Sequence, residues 1–394
     1  MKEFQVATRN QKISTSTPIS RTSRSRGIKR INLALQGGGS HGAFTWGVID
    51  QLLADGRIEI EGISGTSAGS MNAVVYAWGN FSGGRDGARA ALERFWKTVS
   101  SSADRYSPLH ATPWERFSQS RSDDNAFAFE AFKMITNAFS PYQLNPLNFN
   151  PLLDILNEQI DFKALNTCRQ TKLFLSATNV RTGKIRVFNT REVTAQSVMA
   201  SACLPQLFQA VEIDGEPYWD GGYMGNPALF PLFYDTEARD VLIVHINPIE
   251  REGTPTTPAE IYNRVNEISF NSSLIKEFRS IAFVQKLLDE GWLKPEFRDK
   301  MKYVLIHSLR ADKVLADLSI ASKFSSDWNF LLDLRERGRA AAAEWLEQHF
   351  ADLGVRSTVD LRAEFLTSGS EQANEQASTA PARVRASTKR RSRP

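Results

Sequence analysis

Ile58-Glu-Ile-Glu-Gly-Ile-Ser-Gly-Thr-Ser-Ala-Gly-Ser-Met-Asn-Ala-Val-Val-Tyr-Ala-Trp-Gly79 is the stretch whose reading decides the fold. The β-branched residues Ile58, Ile60 and Ile63 lead in as a strand, and the small-residue run Ala68, Met71, Ala73, Val74, Val75, Ala77 leads out as a helix. Between them Gly65-Thr66-Ser67-Ala68-Gly69 spells G-x-S-x-G. A serine at a sharp strand-to-helix corner needs glycine two residues to either side, because side chains there would block the strained turn. The helix that follows aims the partial positive charge of its N-terminus at the serine oxygen. Ser67 is therefore a candidate nucleophile. An ordinary glycine-rich turn can carry the same five letters, so the context has to decide.

Upstream, Ile31, Leu33 and Leu35 form a short strand that runs into Gly37-Gly38-Gly39-Ser40-His41-Gly42. A helix follows, with Phe44, Val48, Leu52 and Leu53 at helical spacing and Gly56 at its end. Strand, glycine loop, helix, strand, serine corner, helix: this alternation predicts an α/β fold with a mainly parallel sheet. Downstream, a hairpin through Thr182-Gly183, a helix of small residues ending before Leu204-Pro205, a short strand at Val211 to Ile213 and a turn at Asp214-Gly215 are expected, followed by Tyr218-Trp219-Asp220-Gly221-Gly222 with Asp220 on a tight turn before the two glycines. The continuous apolar run Asp240 to Ile246 reads as a buried parallel strand. Helices to about Gly291, a strand at Tyr303 to Ile306 and a charged helix from Asp327 to Phe350 complete the chain.

Between about Ala88 and Asn157 aromatic residues crowd among Pro- and Asn-rich turns, among them Phe95, Trp96, Trp114, Phe127, Tyr142 and Phe149. This reads as a helical cap whose aromatics are mostly buried, with a subset lining an acyl-chain groove or meeting a lipid surface. The charge sits at the ends. Residues 1–30 hold eight Lys/Arg against one Glu and residues 367–394 six against two, while the whole chain is only +4, so the body is acidic. Both ends are poor in large apolar residues and are expected to be disordered tails. They serve as solubilising tails or as an electrostatic tether to an anionic surface. The first 30 residues lack a signal-peptide apolar core, no run approaches the roughly 20 residues of a membrane span, and two cysteines are too few for a disulfide framework. A cytoplasmic protein is expected, in peripheral contact at most with a membrane or lipid granule.

A serine nucleophile needs a base and a set of donors for the oxyanion. The Gly37 to Gly42 loop supplies backbone amides free of side chains. Four histidines follow Ser67, namely His110, His245, His307 and His349. His245 lies inside an apolar strand, where a packed and hydrogen-bonded ring is the commoner outcome. Asp220, before Gly221-Gly222, is the better base by position, and partial burial would raise its basicity.

The ordered trio of Gly37–Gly42, Gly65–Gly69 and Asp220-Gly221-Gly222 resembles the patatin-like phospholipase family, as do Ala200-Ser201-Ala202-Cys203-Leu204-Pro205 with Phe208, and Asn226-Pro227. The resemblance implies a three-layer α/β/α fold and lipid acyl hydrolysis by a Ser–Asp dyad without metal or organic cofactor. By position it implies Ser67 as nucleophile and Asp220 as base. The amides of Gly37, Gly38 and Gly39, with Ser40 and Gly42 shaping the loop, would form the oxyanion site, and Gly65, Gly69, Gly221 and Gly222 complete the motifs. The expected organisation is a catalytic domain at 31–235 with the cap inserted at about 88–157, and a C-terminal part of the same fold at 236–366. Lipid esters are the expected substrates, and no nucleic-acid partner is expected. Many family members carry Arg or Lys where this chain has His41, and a neutral imidazole there would weaken attraction for a phosphate headgroup. Two other readings stand beside this one. Gly37, Gly39 and Gly42 also spell the G-x-G-x-x-G of a dinucleotide-binding oxidoreductase, with Glu59 or Glu61 as the ribose ligand. A catalytically weak scaffold bound to lipid or a granule is the other.

Overall fold

The computed structural model describes residues 27–106, 138–298, 300–316, 318 and 320–366. Most of the tail sequence, His110 and the cap aromatics Trp114 and Phe127 lie outside the described residues. The apolar runs form the strands they suggest. β1 (Lys29–Leu35) and β2 (Ile58–Gly65) pair in parallel, Leu35 opposite Gly65, joined by helix α1 (Gly42–Asp55). β2 pairs in parallel with β3 (Lys172–Asn179), which makes the expected hairpin with β4 (Ile185–Asn189). β5 (Val211–Ile213) and β6 (Glu216–Asp220) are antiparallel, and β6 is antiparallel to β3. On the other side of β1 lie β7 (Asp240–His245) and then β8 (Leu305–Arg310), both parallel to it. Among the described residues the sheet has eight strands, in the order β5-β6-β3-β2-β1-β7-β8, with β4 on β3.

The pairing of β3 explains how two distant segments meet. β4 occupies one edge of β3 from Phe174 to Thr178, so β6, which pairs with Ala177 to Asn179, must lie on the edge that β2 uses. There β2 ends with Gly65 opposite Leu175, and β6 arrives from the other direction with Asp220 opposite Ala177. The two strands run head to head along one edge. The residues just past their ends, from segments some 150 positions apart in sequence, therefore converge.

Both sheet faces are covered, so successive side chains of a central strand enter different cores. Leu33, Leu35, Leu242 and Val244 join one core with α1 and with α2 (Ala68–Tyr106), a helix interrupted at Gly83 and Gly84. That core also takes in α3 (Pro151–Gln159) and α4 (Ala195–Ser201). Ala34, Val241 and Ile243 face the other core, built with α5 (Phe230–Tyr234) and α6 (Pro258–Asp289). The charged helix α7 (Trp328–His349) closes the first layer over α1, and α8 (Leu361–Phe365) closes the second. This is the three-layer α/β/α architecture. Among the described residues no helix is long and apolar enough to cross a membrane.

The crossing of α1 and α7 depends on glycine. A Cβ at Gly47 would overlap the Arg335 carbonyl, and one at Gly338 would overlap that of Phe44. Gly47→Ala should therefore push the helices apart and cost about 1–3 kcal/mol in urea unfolding. An unchanged midpoint would show that the crossing yields without strain.

The short strand Val211–Ile213 and the turn at Asp214-Gly215 form as expected, and Tyr218 to Asp220 continues as strand paired with β3. Two local expectations change. The strand expected from Tyr303 begins at Leu305 and continues to Arg310, following β7 residue for residue. Phe95 and Trp96, assigned from sequence to the cap, are buried in the main core along α2. Phe139, Tyr142 and Phe149 are exposed.

Candidate active site

Ser67 sits at the corner between β2 and α2 with φ of 55°, a left-handed conformation that non-glycine residues seldom adopt. From Ile60 to Ala77 every residue except Ser67 is buried. The corner is pinned on all sides. The Ser67 N–H donates to Ser201 Oγ at 3.0 Å, and Ser201 Oγ also lies 2.8 Å from Ser70 Oγ. Thr66 Oγ1 donates to the Gly225 carbonyl at 2.6 Å, and its N–H to Leu35 O at 3.2 Å. A Cβ at Gly69 would overlap the Leu35 carbonyl, and one at Gly65 would stand 2.7 Å from the Gly69 carbonyl oxygen. The two motif glycines are there because the backbone passes too close for anything larger.

Asp220 closes β6 and is only 1% exposed. Its N–H donates to Cys203 O at 2.7 Å and its carbonyl accepts from Thr178 Oγ1 at 2.8 Å, so the residue is locked at the sheet edge. Its carboxylate Oδ1 accepts the Gly222 N–H at 2.7 Å. The Ser67 side chain interacts with the carboxylate and favours its charged form, yet among the described residues Oδ2 has no partner in hydrogen-bonding geometry. The pair is adjacent but not clamped. Burial pushes the Asp220 pKa from near 3.8 up to about 7, against the pull of the Gly222 and Ser67 donors. Gly221 and Gly222 follow because a Cβ would overlap Ser176 O at the first and the Phe270 ring at the second.

The glycine loop lies directly over the serine: a Cβ on Gly37 would be 2.7 Å from Ser67 Cβ. A buried amide network holds this loop. The Gly37 N–H donates to Asn226 Oδ1 at 2.8 Å and the Gly37 carbonyl accepts from Asn247 Nδ2 at 2.7 Å. Gln36 Oε1 accepts the Ile246 and Asn247 N–H groups, each at 3.0 Å, while its Nε2 donates to Asn271 Oδ1 at 3.0 Å. The Gly37 amide is thus already engaged, which corrects its expected place among the free donors. Gly38 is half-buried, Gly39 is exposed, and neither N–H has an acceptor among the described residues. Ser40 and His41 continue from Gly39 as a 3₁₀ turn into Gly42, the first residue of α1.

His41 is buried, with Nε2 at 2.8 Å from Ser322 Oγ, and burial together with the Lys323 charge lowers its pKa to about 3. The imidazole is neutral, but a cation stands beside the loop. Lys323 Nζ donates to Asn247 Oδ1 at 2.8 Å, and the Lys323 carbonyl packs on Gly39. Burial lowers the Lys323 pKa to about 8. Nothing in the sequence around Lys323 signals this role, because the contact is made by a segment some 280 positions away. Ser201 and Asn226 could have been found, since both lie in stretches that carry the family resemblance. Asn247 reads from sequence only as a strand end.

The histidines are placed elsewhere. His307 Nε2 pairs with Asp240 Oδ1 at 2.9 Å inside the sheet, and His349 Nδ1 lies 3.2 Å from Asp352 on the α7 end. His245 is fully buried against Phe278, but neither ring nitrogen has a hydrogen-bond partner among the described residues, contrary to expectation. Its burial lowers the pKa to about 3. Glu61, a ribose ligand in the oxidoreductase reading, instead accepts the Glu237 and Ala238 N–H groups at 2.8 Å each. Among the described residues no group of three or more His, Cys, Asp or Glu side chains is arranged to hold a metal ion.

A family model described as patatin-like phospholipase matches residues 33–233, just over half of the chain. The chain belongs to this family and is a patatin-like lipid hydrolase. No curated protein matches it. Among solved structures, VipD from Legionella pneumophila is similar at 15% identity, covering 84% of this chain and 72% of that one, with a TM-score of 0.36. Full-length ExoU with full-length SpcU, from the type III secretion system of Pseudomonas aeruginosa, is similar at 14% identity, covering 82% and 53%, with a TM-score of 0.29. A second structure of the heterodimeric ExoU–SpcU complex gives 17% identity, 83% and 61% coverage, and 0.29. The chain therefore spans little more than half the length of those last two relatives.

Proposed function

We propose that this member of the patatin-like phospholipase family is a serine acyl hydrolase that cleaves carboxylic esters of lipids through Ser67 and Asp220. The observation that carries the reading is the head-to-head meeting of β2 and β6 on one edge of β3, beside a loop with open amides. Ser67 Oγ attacks the ester carbonyl while its proton passes to Asp220 Oδ2, the carboxylate oxygen with no partner in hydrogen-bonding geometry among the described residues. The oxyanion forms against the Gly38 and Gly39 N–H groups and the positive end of the turn into α1. Collapse returns the proton from Asp220 to the leaving alcohol and leaves the acyl group on Ser67. Water then attacks, giving its proton to Asp220, and the free acid departs as Ser67 recovers its own. A carboxylate with a pKa of about 7 suits both directions of transfer near neutral pH.

Around this dyad Ser201 holds the Ser67 backbone, and Asn226 with Asn247 grips the Gly37 peptide from both sides. Asn226→Ala should lower kcat by about 10- to 100-fold with KM little changed, because donors displaced from the oxyanion lose value before ground-state binding does. Equal loss in KM alone would assign Asn226 to substrate binding. Residues 31–235 and 236–366 are read as parts of one catalytic domain, since β7 and β8 extend the sheet that carries Ser67. The substrates are lipid esters, met in peripheral contact with a membrane or lipid particle. A panel of phospholipid, lysolipid, glyceride and polyester substrates, with release of free acid as the readout, tests the reading. Acid release by the wild type and none by Ser67→Ala is expected. Release from no substrate would favour the scaffold reading.

A further inference from the structure

We infer that the rim around Asp220 is a docking surface for a lipid interface, which it enters by apolar insertion and not by charge. The inference rests on the lipid hydrolase reading and specifies the partner of that site. Its basis is where charge is missing. From Ala138 to Leu153 the chain carries no charged residue, and Leu147 and Tyr142 in this stretch are 90% and 57% exposed. Phe139, Leu144 and Phe149 are exposed beside them.

The first half of α6 repeats the pattern. Ile261, Tyr262, Val265 and Ile268 recur at helical spacing and are all exposed. Of the charges in this part of the helix, Arg264 and Glu267 turn inward and pair at 3.2 Å, with Arg251 joining Glu267 at 2.7 Å, while Glu260 is exposed in the first turn and accepts the Thr256 and Thr257 N–H groups. An exposed helix face in water ordinarily carries charge, and from Ile261 to Ser269 the exposed residues are Ile261, Tyr262, Val265, Ile268 and Ser269, none of them charged. From Gly221 to Tyr234 the chain again has no charge, and Met224 and Phe230 are exposed.

These segments are tied to the walls of the site on either side of Asp220. Gln209 Nε2 donates to the Asn145 carbonyl at 2.8 Å, and the Ala210 N–H donates to the Tyr142 hydroxyl at 3.3 Å. The same loop provides the Cys203 carbonyl that accepts the Asp220 N–H at 2.7 Å. On the other flank the Tyr223 ring lies 5.3 Å from that of Phe270 on α6, whose edge abuts Gly222. An uncharged apolar rim continuous with the residues that hold the proposed base matches the boundary between headgroups and acyl chains, where no charge need be desolvated. Seated there, the site meets its ester without the substrate leaving the interface.

The test uses the full-length Ser67→Ala protein, which leaves lipid intact, in co-sedimentation with phosphatidylcholine vesicles at 0.1 and 1 M salt. Binding should persist at the higher salt, because no ion pairing holds it. Adding Leu147→Asp and Val265→Asp should weaken binding by at least tenfold. The same two exposed substitutions in the protein that retains Ser67 should leave cleavage of a soluble short-chain ester unchanged. No binding by the parent, equal binding by the double variant, or loss of binding at high salt would overturn the inference. So would a parent that self-associates through this face, with the double variant monomeric and vesicle binding unaltered. Vesicle binding involves no turnover, so it reads the surface independently of whether esters are cleaved.

Discussion

Asp220→Asn should lower kcat/KM for a lipid ester by about a thousandfold, within the range that a positioned general base contributes. The amide keeps the shape of the carboxyl and can still accept the Gly222 N–H, so the loss would be chemical and not a loss of fold. The wild-type profile should rise with pH through about 7, since the base must be deprotonated and burial holds its pKa there. The stability prediction has the opposite sign. A carboxyl whose pKa is raised in the folded state contributes stability that is complete below its unfolded value near 3.8 and is lost as pH rises through about 7. Asparagine has no charge to bury. At pH 8 the variant should therefore unfold at higher denaturant concentration than the wild type, by up to roughly 4 kcal/mol, while at pH 4 the two should converge. An inactive protein that is more stable is the expected signature. An inactive protein that is less stable at pH 8 would point to a structural role for Asp220 instead.

Ser67→Ala should reduce turnover by at least about ten-thousandfold, to the background of bound but unattacked ester. Alanine occupies the same φ of 55° with no added contact, so thermal unfolding should move little. Ser67→Gly would be equally inactive, and more stable by about 1 kcal/mol if the left-handed corner stores strain. A Gly variant less stable than the Ala variant would show that the neighbours at Gly225, Ser201 and Leu35 have made this conformation the relaxed one.

The parts of this fold and site that were legible in the sequence are those that local physics dictates. Ile58, Ile60 and Ile63 must bury β-branched side chains, and Gly69 must admit the Leu35 carbonyl, so the strand, the corner and the helix announced themselves. Leu242 to Val244, apolar at every position, had to be a strand covered on both faces, and its residues divide between the two cores. What stayed hidden depends on long-range pairing. Nothing local says that Asp220 arrives on the β2 edge of β3, or that Trp96 belongs to the main core and Tyr142 to the surface. Lys323 is the sharpest case. His41 alone suggests a loop without a neighbouring cation, yet a lysine from a distant 3₁₀ turn sits against that loop and bonds to Asn247. His245 shows the reverse: a buried imidazole ordinarily finds a partner, and here the surrounding apolar strand offers none.

Stoichiometric labelling with a fluorophosphonate ester, followed by peptide mass mapping across pH 5 to 9, tests the dyad most directly. One phosphonyl group on Ser67, added at a rate that rises through about pH 7 and at least a hundredfold more slowly in Asp220→Asn, is the expected result. An adduct on another residue, or undiminished labelling of Ser67 in Asp220→Asn, would contradict it.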